Sequence, residues 1–216
     1  AMATTRDIRR ILINDDGSFL SDMEPVLTVR DLKEHMVDTY KNTPVDALLW
    51  CLGNREVYHY ESQIGEIPTE RRDQDQDQRY VKAARTMSSL IEESGGPLTA
   101  MVKLCQKDGL DLFPSLRMNS HYAADPNAPG SGVFRREHPN VLIGKPGEEL
   151  PKGSLEWGVR TGVDYVHPEV RSHMAAIICE LMERFAVNGI ELDYMRHPTF
   201  FRPQDGYATR HLMPDL

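Results

Sequence analysis

Within seven positions, the stretch NGIELDYMRHP sets two carboxylates, a guanidinium and an imidazole: Glu191, Asp193, Arg196 and His197. A spacing of two puts Glu191, Asp193 and Met195 on one face of an extended strand. Carboxylates held this way can move protons, attack an electrophilic carbon or bind a cation. Arg196 can serve a ligand or Asp193 itself, and His197, ahead of Pro198, can either titrate near neutrality or cap a turn. The apolar neighbours are those of a buried strand, where an unpartnered charge is costly. These groups are therefore either solvated at a strand end or held together for chemistry. Glu191 reads both as half of a structural ion pair, with Arg117 a candidate partner, and as a catalyst. Asp193, nearer the strand end, reads as a catalytic or substrate-contacting group.

Three other apolar runs end in similar polar groups. RRILIN runs into Asn14, Asp15 and Asp16, within the turn sequence NDDGS. VDALLWCLG runs into Trp50, Gly53 and Asn54, and LDLFPSLRM into Arg117, Asn119 and His121, which share a face if that strand stays extended. NDDGS reads equally well as a plain turn. Brought over one opening, these carboxylates, amides and bases would make a concave site rich in hydrogen-bonding groups, as sugars require.

The elements that must position them alternate. After the first strand, LTVRDLKEHMVDTYKNT carries Leu32, Met36, Val37 and Tyr40 at helical spacing, and Pro44 closes it. The second strand is followed by a polar stretch with the run DQDQDQ, read as a solvated helix entry. Two helices come next: one over 79–93 with Tyr80, Ala84, Met87 and Ile91 inward, and one opening at Pro97 with Leu98, Met101, Val102 and Cys105 on a stripe. Beyond the third strand, residues 119–166 keep no period and are too long for an ordinary connection. Their aromatic residues, Tyr122, Phe134, Trp157 and Tyr165, favour a folded lid or binding loop. HPEVRSHMAAIICELMERF then reads as a helix with Val170, Met174, Ile177, Leu181 and Phe185 inward, and VNGIELDYM as the fourth strand. Strand and helix thus alternate four times with near-continuous apolar strands, the signature of an α/β fold with a helix-covered parallel sheet. Working residues in such folds gather at the carboxyl ends of the strands.

Composition narrows the partners. A formal net charge of −8 over 216 residues argues against a nucleic-acid phosphate backbone. No apolar run of about 18 residues suggests a membrane span, and AMATTRDIRR lacks the apolar core of a signal peptide. Localisation stays open. Cys51, Cys105 and Cys179 lie too far apart for a metal or redox motif. No cofactor is expected.

VNGIELDYMRHP resembles the strand-four signature DGI-x-x-D-Y-x-R-x-P of the family-10-like glycoside hydrolase TIM barrels, a group of glycosidase homologues. GVDYVHPEVRSHMAAIICELMERF is similar to that group's helix before the strand, and LFPSLRMN to its third strand. The resemblance covers the second half of the chain well and the first half loosely. Asn188 stands where the group usually has Asp. It implies a TIM-type (β/α) barrel and hydrolysis of glycosidic bonds in an oligo- or polysaccharide by a carboxyl pair including Asp193. The spacing also resembles that of alpha-amylase-like barrels, whose strand-four Asp is the nucleophile, although Glu191 replaces the Arg found there two positions earlier.

Glu191 would lie roughly 6–7 Å deeper along the strand than Asp193. A proton donor at the mouth is therefore expected from another strand. A complete eight-fold barrel takes about 250 residues, so the chain is expected to supply the first four βα units of a single incomplete domain over 1–216. A second copy, a second chain or the rest of a longer protein would complete it. Trp50, Tyr58, Trp157 and Tyr194 are candidates to stack on sugar rings. Two other readings stay open: a non-catalytic carbohydrate-binding module, and a metal-assisted lyase or hydrolase with Asp15, Asp16, Glu191 and His121 as ligands.

Overall fold

The computed structural model describes residues 11–22, 27–54, 56–69, 78–121 and 131–202. The start of the chain to Arg10, positions 73–77 of the DQDQDQ run, Tyr122 and residues 203–216 lie outside the described residues. Four strands, β1 (Ile11–Asp15), β2 (Val45–Cys51), β5 (Asp111–Arg117) and β6 (Glu191–Asp193), form one parallel sheet in the order β1-β2-β5-β6. Between them β3 (Gly53–Asn54) and β4 (Val57–Tyr58) make a small antiparallel hairpin, in a stretch that carries no strand signal in the sequence.

The helices follow the apolar stripes. After the short α1 (Phe19–Asp22), α2 (Val29–Leu32) opens on a reciprocal capping box between Thr28 and Asp31. It then widens to a π-helical turn over Lys33–Val37 and tightens to a 3-10 turn over Asp38–Tyr40. α3 (Gln78–Ser94) buries Tyr80, Ala84, Met87 and Leu90, while Ile91 is 38% exposed. The face thus turns by one residue from the expected stripe, because Leu90 fits the 3.6-residue period equally well. α4 (Pro97–Asp108) starts on proline and stops at Gly109, whose φ of 73° is the left-handed cap glycine adopts readily. The carboxylate of Glu61 accepts the Thr99 N–H at 2.8 Å and the Leu98 N–H at 3.2 Å, satisfying the start of α4.

The register assigns the two faces of the sheet. Asn14 pairs with Leu49, Leu49 with Phe113, Cys51 with Ser115, Ser115 with Glu191, and Arg117 with Asp193, so these side chains share the inner, concave face. Leu48, Trp50, Leu112 and Leu116 point the other way, into a core closed by α2, α3, α4 and α7 (Pro168–Arg184). The inner face is only partly covered: Leu12 is 53% exposed, and Leu49 and Phe113 are half-buried. The architecture is a curled parallel half-barrel sheet with its helices on the convex side, consistent with part of a TIM-like barrel.

Two residues of the fourth apolar run do strand work before β6 begins. The Asn188 side chain accepts the Leu112 N–H at 2.9 Å and donates to Asp111 at 2.8 Å, while its own N–H reaches the Leu112 carbonyl at 3.0 Å. An aspartate at position 188 could accept from Leu112 but could not donate to Asp111. At Gly189 a Cβ would stand 2.7 Å from the Phe113 ring, so a larger residue would have to displace that ring. No helix among the described residues is long and apolar enough to cross a membrane.

Candidate active site at the carboxyl ends of the strands

The mouth of the half-barrel begins in the turn after β1. Gly17 takes φ 68°, its N–H donates to Asp15 Oδ1 at 2.9 Å, and a Cβ there would fall 2.1 Å from the Cys51 carbonyl oxygen. Asp15 therefore serves the turn. It shares the outer face with Trp50, its register partner, and its charge helps raise the Tyr40 phenol pKa after burial has done so. This corrects the expectation for both residues. Asp15 lies off the concave face, and Trp50, fully buried in the helix-covered core, cannot stack on a sugar.

The other groups converge. Asn14 Nδ2 donates to Glu191 Oε2 at 2.8 Å, from one edge strand to the other. Arg117, its side chain 6% exposed, donates to Asp16, and Arg196 lies 4.0 Å from the second Asp16 oxygen. The candidate pair of Glu191 with Arg117 is not made: the guanidinium takes the carboxylate of the β1 turn, and Glu191 takes an amide. Asp193 Oδ1 accepts the N–H groups of Met195 at 2.9 Å and Arg196 at 3.0 Å. This fixes the carboxylate at the end of β6 through Oδ1. Burial raises the Cys51 thiol pKa; Arg117 lowers it, and Asp16 and Asp193 raise it further, so all three charges surround that inner-face residue.

His121 and His197 meet edge to face, ring centroids 5.0 Å apart. Burial brings the His121 pKa down to about 4, with His197 and Arg135 adding to the effect. Burial also lowers His197, helped by Arg117, Arg196 and Arg135 and opposed by Asp193. Both shifts favour the neutral imidazole. Asn119 is not a substrate contact: it is buried, with Nδ2 donating to the Val163 and Thr199 carbonyls at 2.8 Å each and Oδ1 accepting the Ser120 and Val163 N–H groups. The strand stops at Arg117, so the shared face expected for Arg117, Asn119 and His121 is lost.

The remaining aromatic candidates are occupied. Tyr58 is buried, the Arg160 guanidinium lies 4.1 Å over the Trp157 ring, and half-buried Tyr194 packs against Phe200 at 5.1 Å. The metal reading draws no support from the geometry: among the described residues, no three His, Cys, Asp or Glu side chains are grouped to hold an ion. Asp15 serves a turn, Asp16 pairs with Arg117, and Glu191 is bound to Asn14.

Sequence reasoning missed the residue that organises the long segment after β5. Arg135, in α5 (Val133–Glu137), is 1% exposed; it pairs through two nitrogens with Glu56 and donates to the carbonyls of Ser120 at 2.8 Å and Thr161 at 2.5 Å. Glu56 takes φ 59°, a strained backbone for a side chain of its size. The segment also holds a 3-10 turn (Pro139–Val141) and α6 (Leu155–Val159), and the Tyr165 hydroxyl donates to the Met118 carbonyl. No local signal marks Arg135, since RREH reads as exposed surface. Glu180 of α7 escaped for the same reason: it gathers the hydroxyls of Tyr60 at 2.8 Å and Ser62 at 2.6 Å and Arg184 at 2.5 Å.

No protein-family profile matches the chain, and no curated protein matches it. Among solved structures it is similar to the galactosidase domain of alpha-galactosidase-sucrose kinase, AgaSK, with a TM-score of 0.50 and 13% identity. That likeness covers 86% of this chain and 21% of the other, so the chain spans about a fifth of its length. At this identity the likeness speaks for the fold.

Proposed function

We propose that the chain forms part of a glycoside hydrolase-like (β/α) barrel of TIM type, which cleaves a glycosidic bond of an oligo- or polysaccharide at the carboxyl ends of its strands. The observation that carries the reading is Asp193: an acid at the mouth, fixed through one oxygen by two backbone N–H groups and flanked by the Arg117–Asp16 pair. The likeness of NGIELDYMRHP to the family-10-like strand-four signature, and of the fold to a galactosidase domain, supports it.

In this reading Asp193 acts on the anomeric carbon, either directly as nucleophile or by activating water. The second carboxyl group stands about 5 Å away in the first case and about 6.5–9.5 Å in the second. Glu191 is two residues deeper and already accepts from Asn14, so it orients the floor of the site rather than protonating a leaving group. The proton donor comes from the part of the barrel that faces β6, supplied by a second copy of the chain, a second chain or further sequence. Arg117, Arg196 and Asp16 position sugar hydroxyls.

The test is reducing-end release from neutral and acidic oligosaccharides, galactosides included, by the assembled protein and its Asp193→Asn variant at matched thermal stability. Product from wild type alone supports the reading. Binding without release by both proteins points to the non-catalytic carbohydrate module, and neither binding nor release removes the sugar reading.

A further inference from the structure

The segment after β5 lines a half-open cavity of about 320 Å³ in which Asp193 takes no part. Four of its lining residues are cations, Arg135, Arg136, Lys145 and Arg160, against the single carboxylate of Glu148. In a chain of net charge −8 such a lining is a local reversal of sign. The cations differ in how far their charge is already met. Arg135 is neutralised by Glu56, and Arg136 reaches Glu66 at 3.3 Å. Glu148 bonds the backbone N–H of Lys145 at 3.1 Å and the side chain of Arg202. The Lys145 ammonium hydrogen-bonds neutral acceptors, the Asn140 and Leu142 carbonyls at 3.4 and 3.2 Å and the His167 ring at 3.5 Å, and feels the Glu148 carboxylate without pairing with it directly.

A half-buried ammonium whose direct hydrogen bonds go to neutral acceptors gains most from a guest that brings its own negative charge. Leu142, Pro146 and Leu150 supply apolar wall, so the guest has a carbon skeleton as well as a charge. The volume suits one sugar ring. Arg202 ties the cavity to the segment that leaves β6, nine residues after Asp193.

We infer that this cavity binds an acidic monosaccharide unit, its carboxylate or phosphoryl group held by Lys145 with Arg136 beside it. This inference rests on the glycosidase-like reading for the choice of a sugar, and it names the substrate class as anionic.

The experiment is calorimetric titration of the whole protein at fixed ionic strength with galacturonate, galactose 6-phosphate, galactose and inorganic phosphate. It is repeated on Lys145→Gln, Lys145→Arg and Asp193→Asn. The expected result is that an acidic sugar binds about ten-fold or more tightly than galactose. Lys145→Gln abolishes that preference, whereas Lys145→Arg and Asp193→Asn keep it. Tighter binding by galacturonate or by the phosphate ester tells which acidic group is meant. Equal affinity for galactose, or a preference that survives Lys145→Gln, overturns the inference. Inorganic phosphate binding as tightly as either acidic sugar also overturns it, leaving a simple anion site. A thermal melt of each variant separates lost binding from lost folding. The titration reads binding alone, so failure of hydrolysis leaves this result intact.

Discussion

Asn14 and Glu191 lie 177 positions apart in sequence, yet their side chains share a 2.8 Å hydrogen bond that joins the two edge strands across the concave face. The curl of the sheet makes this possible, because strands at the two ends of a flat four-stranded sheet would stand too far apart. A hydrogen bond to a carboxylate contributes about 1.5–3 kcal/mol, less where solvent reaches it as here. Asn14→Ala is expected to destabilise the protein by about 1–2 kcal/mol and lower its melting temperature by about 2–8 °C. Urea unfolding with an unchanged m-value would show it; a variant as stable as wild type would leave the bridge without energetic weight.

The Arg135–Glu56 pair invites a sharper test. Removing one partner of a buried ion pair costs about 3–5 kcal/mol, because the other charge is stranded. Arg135→Met and Glu56→Met should each approach that loss. The double replacement Arg135→Met with Glu56→Met should recover much of it. A double-mutant cycle that sums to the two single losses would contradict the pairing.

His121 carries a pH dependence whose sign is fixed. Its folded pKa of about 4 lies below the ordinary 6.5, so between these values the unfolded chain binds more protons. Stability from this group is therefore full above about pH 6.5 and falls as pH drops toward 4. Melting temperatures from pH 7 to 4 should decline less steeply in His121→Asn than in wild type, and parallel profiles would exclude the mechanism.

Thiol reactivity should follow burial. Burial pushes the Cys105 thiol up to about 12 and raises that of Cys51, and both are buried, while Cys179 is exposed. A short pulse of iodoacetamide on folded protein is expected to label Cys179 alone, with the other two labelled after denaturation. Peptide mass spectrometry reads the outcome.

Much of the frame was legible because it depends on near neighbours. The stripes Leu98, Met101, Val102, Cys105 and Val170, Met174, Ile177, Leu181 are set by helical period alone, and all eight residues are buried. The strands that carry Asn14, Arg117 and Asp193 were equally plain. Facing was not. Trp50 and Asp15 belong to the convex side because of the register between β1 and β2, which no stretch of either strand encodes by itself. The role of Asn119 depends on Val163 and Thr199, 44 and 80 positions away, and that of Arg135 on Glu56, 79 positions back. Such side chains read as ordinary solvent-exposed polar groups until the chain has brought their partners to them. Asp193 could be placed at the end of its strand from alternation alone, but its backbone N–H partners depend on the turn that follows.

The order of strands across the sheet is also their order along the chain. Each new strand can add to the edge left by the one before it, so the sheet can grow as the polypeptide leaves the ribosome, without waiting for a later strand to be inserted between earlier ones. Until β6 docks, the β5 edge stands open to solvent and to other nascent chains. A ribosome-bound intermediate ending after β5 should thus be the species most dependent on chaperones.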